Sequence, residues 1–107
     1  MRISFTFRNL DSSDAIKDYA NEKIGKLQKL LRAPLESEVV FSLERHNHRV
    51  DITAHAGGKR YAAHDVQEDM YAAIDLALDK LDHQIRKDKE AETQKKRSGA
   101  ALSDKEK

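Results

Sequence analysis

Alternation opens the chain. In "RISFTFR" the apolar residues Ile3, Phe5 and Phe7 are separated by Ser4 and Thr6, a period of two that predicts a strand with one buried face. "NLDSS" breaks the pattern, and Ser13 is placed to cap a helix, its hydroxyl accepting from a free backbone N–H. From Asp14 the spacing changes to three and four. Ile16, Ala20, Ile24, Leu27 and Leu31 then share one helical face. Gly25 interrupts this run at a cost of about 1 kcal/mol relative to alanine; close approach of another backbone would account for it. Pro34 stops the helix near "RAPL".

Alternation resumes in "SEVVFSLER", with Val39, Phe41 and Leu43 on one face, and in "VDITAHA", with Val50, Ile52 and Ala54. A weaker strand, "RYAAHD", turns Tyr61 and Ala63 inward; "HNHR" and "GGK" are the connecting turns. Asp65 followed by Glu68 resembles a capping box with Asp as the cap. The last apolar stripe is Met70, Ile74, Ala77, Leu78, Leu81 and Ile85, and its periodicity stops after Lys89. "EAETQKKRSGAALSDKEK" has one leucine and no aromatic residue, the composition of a disordered charged tail.

The order is β-α-β-β-β-α, an α+β fold. A right-handed crossover makes the first two strands parallel, and hairpins add the others antiparallel. The expected architecture is a four-stranded mixed sheet with two helices on one face. The other face, carrying Ser4, Thr6, Asp51, Thr53 and His55, is left to solvent. Residues 1–89 form the domain and residues 90–107 the tail.

Composition narrows the function classes. At 107 residues, 38% hydrophobic and 36% charged, the chain supports one small core and no large interdomain cleft. Cysteine is absent, which removes disulfides and thiolate metal sites. No run has the length of a signal peptide core or a membrane span, so a cytoplasmic protein is expected. The net charge of +1 carries little information; the placement of charge carries more.

Helical neighbours lie three and four positions apart. Around Lys80 those positions hold Leu76, Ala77, His83 and Gln84, none acidic. Around Lys23 they hold Tyr19, Ala20, Lys26 and Leu27; around Lys29, Gly25, Lys26, Arg32 and Ala33. Lys26 has Glu22 and Lys87 has only Glu90, whereas Arg86 follows Asp82 by four. The first helix thus carries a ridge of like charge, Lys23, Lys26, Lys29 and Arg32, and the last carries Lys80, His83 and Lys87. Each like pair costs a few tenths of a kcal/mol. Solvated lysines would suffice to explain one such row. The same pattern on two helices points to a polyanion, with both rows merged into one patch. Aromatic residues do not alternate with these lysines, which favours a folded, phosphate-lined surface over a single-strand stacking platform.

"DMYAAIDLALDKLDHQIRKDK", from Asp69 to Lys89, strongly resembles the last helix of the ribosome hibernation-promoting factors, also called the ribosome-associated inhibitor or sigma-54 modulation family. The resemblance extends back through "SSDAIKDYANEKIGKLQKL", and more weakly through the strands, to cover residues 1–89. It implies the same β-α-β-β-β-α fold. It also implies binding to the small ribosomal subunit and its 16S rRNA near the decoding centre, blocking mRNA and tRNA sites and silencing translation under stress. The implied rRNA contacts are Lys23, Lys26, Lys29, Lys80, His83 and Lys87. Arg32, Arg86, Lys89, Lys95, Lys96 and Arg97 are additional candidates. His83 stands where close relatives often have arginine. The length resembles the family's short form, which either cooperates with another small hibernation factor to pair ribosomes or holds single ribosomes inactive. No cofactor, small-molecule substrate or membrane partner is implied.

Other classes fit the residues less well. Asp69, Tyr71 and Asp75 cluster early in the last helix, but acids there complement the helix dipole, and no activated nucleophile or phosphate loop accompanies them. His46, His48, His55 and His64 are the candidate metal ligands, although a structural zinc site wants four converging donors. A general double-stranded-RNA-binding protein is the alternative that would use the same lysines. A transcriptional role finds no helix-turn-helix.

Overall fold

A computed structural model describes residues 1–97, with side chains as far as Ala91. The elements are β1 (Arg2–Arg8), α1 (Asp14–Gln28), β2 (Glu36–Glu44), β3 (Asn47–Ala56), β4 (Lys59–Gln67) and α2 (Met70–Arg97). The four strands form one sheet in the order β1-β2-β3-β4, with β1 parallel to β2 and the remaining pairs antiparallel. The expected α+β architecture is the observed one. Because β2 and β4 both run against β3, they point the same way. Each helix doubles back along the strand before it, so α1 and α2 run side by side with their N-termini at the same end.

One core lies between the sheet and the helical layer. Val39, Phe41, Val50, Ile52 and Ala54 meet Ala20, Ile24 and Leu27 of α1 and Met70, Ile74, Ala77, Leu81 and Ile85 of α2. Phe41 is fully buried, with its ring 4.8 Å from that of Phe7 and 6.0 Å from that of Phe5. Burying one such side chain contributes about 1.5–3 kcal/mol. Ser13 caps α1 as expected, its hydroxyl accepting from the Ile16 N–H at 3.3 Å. After α1, the Gln28 amide holds the turn, donating to the Ala33 carbonyl at 3.0 Å and accepting from the Leu35 N–H at 2.7 Å.

Three local expectations change. β4 continues to Gln67, so Asp65 is a strand residue and not a helix cap. The cap is Asp69, whose carboxylate accepts from the Ala72 N–H at 3.1 Å. At Gly25, an added Cβ would sit 3.6 Å from the Met1 methyl, an ordinary contact, and no other backbone approaches. Finally, α2 extends through Arg97, so residues 90–97 of the expected tail continue the helix. A run of good helix formers after Lys89 propagates the turn without an apolar face. Residues 98–107 lie outside those described.

Candidate nucleic-acid interface on the helical layer

Each candidate cation is positioned by its helix, with its surroundings set by the neighbouring element. Lys26, Lys29, Arg32, His83 and Lys87 are exposed, and among the described residues none has an ion pair. Lys23 is half-buried. Its Nζ lies 5.3 Å from the centre of the Tyr19 ring, a cation–π contact that leaves the charge unneutralised. Lys29 ends α1, and Arg32 lies in the turn that follows.

Lys80 departs from expectation. It lacks an acidic neighbour along α2, but β4 supplies one. Its Nζ donates to Asp65 Oδ1 at 3.1 Å and to the His64 carbonyl at 2.9 Å. The Asp65 side chain is only 14% exposed. Burial alone would raise its pKa, but hydrogen bonds from Gln67 and Lys80 outweigh that and hold the carboxyl below its ordinary value. One turn on, Gln84 donates to the Ala62 carbonyl at 2.8 Å. One turn further, Asp88 accepts from Lys59 at 2.8 Å and from the Tyr61 hydroxyl at 2.7 Å. Lys80, Gln84 and Asp88 therefore form a clamp along β4, one of the two edge strands of the sheet. The clamp occupies outward carbonyls that would otherwise template another strand.

The α2 flank turned to α1 is acidic. The Tyr19 hydroxyl donates to Asp75 Oδ1 at 2.7 Å, and the Tyr19 and Tyr71 rings meet edge to face with centroids 4.9 Å apart. The bond to Asp75, followed by burial and the charges of Asp75, Asp69 and Glu22, pushes the Tyr19 pKa up to about 12. Asp79 and Asp82 lie four and seven residues beyond Asp75 and so share its flank. Lys80 and Lys87, seven apart, share the flank toward β4. The single patch expected from the sequence is thus two basic strips with an acidic seam between them. Arg86 is committed to Asp82, Lys89 is exposed and has contacts of its own, and Lys95, Lys96 and Arg97 lie on α2 beyond the described side chains.

The histidines do not converge. His48 donates from Nδ1 to the Glu68 carbonyl at 2.9 Å on the helical side of the sheet. His46 lies in the turn before β3, and His55 and His64 project from the opposite face. Among the described residues no group of three or more histidine or acidic residues is placed to hold a metal. Nor is any helix among them long and apolar enough to cross a membrane.

A family model described as "Sigma 54 modulation protein / S30EA ribosomal protein" matches residues 3–93. The chain belongs to this family. Among S30EA relatives, the ribosome hibernation promoting factor of Azotobacter vinelandii is 36% identical over 95 residues, 89% of each chain. That of Escherichia coli K12 is 32% identical over 90 residues, 84% of this chain and 95% of the relative. The crystal structure of the Thermus thermophilus Protein Y N-terminal domain superposes with a TM-score of 0.77 at 34% identity, covering 81% of this chain and 98% of that one. A ribosomal subunit interface protein from Coxiella burnetii shares the fold, with a TM-score of 0.75 at 24% identity over 84% of this chain and 99% of that one. S30EA members are ribosome-binding regulators and not enzymes, in keeping with the catalytic class set aside on sequence grounds.

Proposed function

We propose that this protein binds the small ribosomal subunit near the decoding centre, occupies mRNA and tRNA sites and silences translation in stressed or stationary cells. The observation that carries the proposal is the pair of basic strips. Lys23, Lys26, Lys29, His83 and Lys87 are held on rigid helices without an ion pair among the described residues, as a surface for 16S rRNA phosphates requires. Lys80 joins them with one donor. An ammonium has three, and β4 takes two. Arg32 extends the strip beyond Lys29, and Lys95, Lys96 and Arg97 follow in sequence as further candidate contacts. The named activity of the relatives supports the same reading.

The test is co-sedimentation with purified small subunits and whole ribosomes, with and without excess unrelated duplex RNA. The Lys23→Glu/Lys26→Glu/Lys80→Glu/Lys87→Glu variant is run beside the wild type. Wild-type binding should resist the duplex competitor and fall about a thousandfold between 50 and 200 mM salt, as expected for six phosphate contacts. The quadruple variant should stay at the top of the gradient. Loss of wild-type binding to the competitor would favour a general duplex-RNA binder. A folded wild type that never sediments with ribosomes removes the proposal.

A further inference from the structure

We propose that the seam between the helix N-terminal halves receives one unpaired nucleobase of the bound RNA, stacked on the Tyr71 ring. This rests on the RNA-binding function proposed above and specifies a contact within it. Tyr71 is one of three exposed large hydrophobic side chains among the described residues, at 37% exposure. It is also the only aromatic of the three. Its ring stands perpendicular to that of Tyr19, at 90°. An edge-to-face contact covers at most one face of the Tyr71 ring, and the residue stays exposed beside it. The arrangement is rigid, because the Tyr19 hydroxyl is tied to Asp75 at 2.7 Å. An ordered ring loses little entropy when a flat partner arrives.

The charge layout selects the occupant and its direction. Asp69, Asp75 and Glu22 surround the tyrosine pair closely enough to act on Tyr19, and they repel a phosphate placed there. Lys23 lies over the Tyr19 ring, and Lys26 follows one turn on. A nucleotide at the seam is therefore oriented with its uncharged base toward Tyr71 and its phosphates toward Lys23 and Lys26. A peptide side chain would need no such division between an anion-repelling ring and an anion-attracting turn. Tyr19 and Tyr71 stand far apart in sequence, so the site exists only once the two helices pack. One ring receives one base; nothing here forms the extended aromatic track of a single-strand-binding channel.

The experiment uses the full chain and purified small subunits. The natural sequence has no tryptophan, so Tyr71→Trp installs a unique indole at the site. Its fluorescence should be quenched as subunits are added, with binding retained or tightened by the larger ring. Tyr71→Leu keeps apolar bulk without a π face. It should bind about tenfold more weakly, the effect of one lost stack, while the dependence on salt keeps its slope because no phosphate contact is lost. Unquenched indole in a Tyr71→Trp protein that still co-sediments overturns the stacking site and leaves ribosome binding standing. So does wild-type affinity in Tyr71→Leu. Wild-type protein that fails to sediment with subunits removes both. Should Tyr71→Leu unfold, the quenching arm still decides the question.

Discussion

Replacing Lys80 with methionine separates the two roles this residue could have. The stem is kept and the charge removed. The structure gives Lys80 two partners on β4, Asp65 Oδ1 at 3.1 Å and the His64 carbonyl at 2.9 Å. Asp65 would keep only the Gln67 amide at 2.8 Å. A hydrogen bond to a charged group contributes about 1.5–3 kcal/mol when well shielded. Lys80 is 53% exposed, and solvent screening brings the expected loss down to about 1 kcal/mol. For a domain of this size that is a fall in Tm of about 4–8 °C.

The pH dependence carries a sign. The Asp65 carboxyl lies below its ordinary pKa when folded. The stability it provides is therefore present above the unfolded value of about 3.9 and lost as pH falls through the lower folded value. Thermal unfolding followed by circular dichroism should show the full gap between wild type and Lys80→Met at pH 7. The gap should shrink in strong acid, where only the bond to the His64 carbonyl remains. Equal midpoints at pH 7, or a gap indifferent to acid, would falsify the clamp. In ribosome binding, Lys80→Met should lower the salt slope by less than the 0.7–0.9 or so expected of a full phosphate contact. Lys26→Met, at an exposed position with no ion pair to lose among the described residues, should lower it by the full amount.

Gly25→Ala should raise stability by up to about 1 kcal/mol in urea unfolding, because the new methyl meets only the Met1 side chain at 3.6 Å; destabilisation would mean the glycine serves the backbone. His83→Arg, at an exposed site without an ion pair among the described residues, should preserve or tighten ribosome binding in the gradient assay, and a clear loss would exclude His83 from the contact set. Asp51 is also held below its ordinary pKa, chiefly by its hydrogen bond from Arg49. Arg49→Gln should therefore lower stability at neutral pH, and that effect should fade as pH falls below the ordinary carboxyl value through the depressed folded one; an equal effect at neutral and strongly acid pH would contradict the pairing.

Periodicity made the architecture legible because every element here has one buried face. Ile24, Val39, Ile52 and Ile74 fall where periods of 3.6 and 2 place them, and all are buried. The ends were harder. β4 runs past Asp65 because Val66 and Gln67 pair with Arg49 and His48 of β3, which a local pattern cannot reveal. Helix continuation past Lys89 rests on propensity without an apolar stripe, so hydrophobic spacing gave no signal there. The charge reading succeeded along each helix and failed between elements. Lys80 has no acid at three or four positions, yet β4 provides Asp65. Likewise, the position of Asp75 in sequence does not show that it holds Tyr19 of the other helix.

That failure bears on how the surface works. A helix laid on a sheet has an inner face committed to the core, two flanks and an outer ridge. In α2 the flank toward β4 is used to close the edge of the sheet, and the flank toward α1 to fix the spacing of the two helices. Both jobs employ charged or polar groups that face solvent as well. The residues left over are His83 on the outer ridge of α2, Lys87 on its β4 flank beyond Lys80, and Lys26 and Lys29 on the first helix. Their like charges offer the isolated protein no stabilisation and cost it a few tenths of a kcal/mol per neighbouring pair. The acidic seam offsets part of that repulsion at a distance. It also repels phosphate between the strips, so under the proposed function an RNA backbone would follow one strip or bridge both with bases inward. Rigid flanks thereby convert an ordinary count of lysines into a surface with a defined direction of approach.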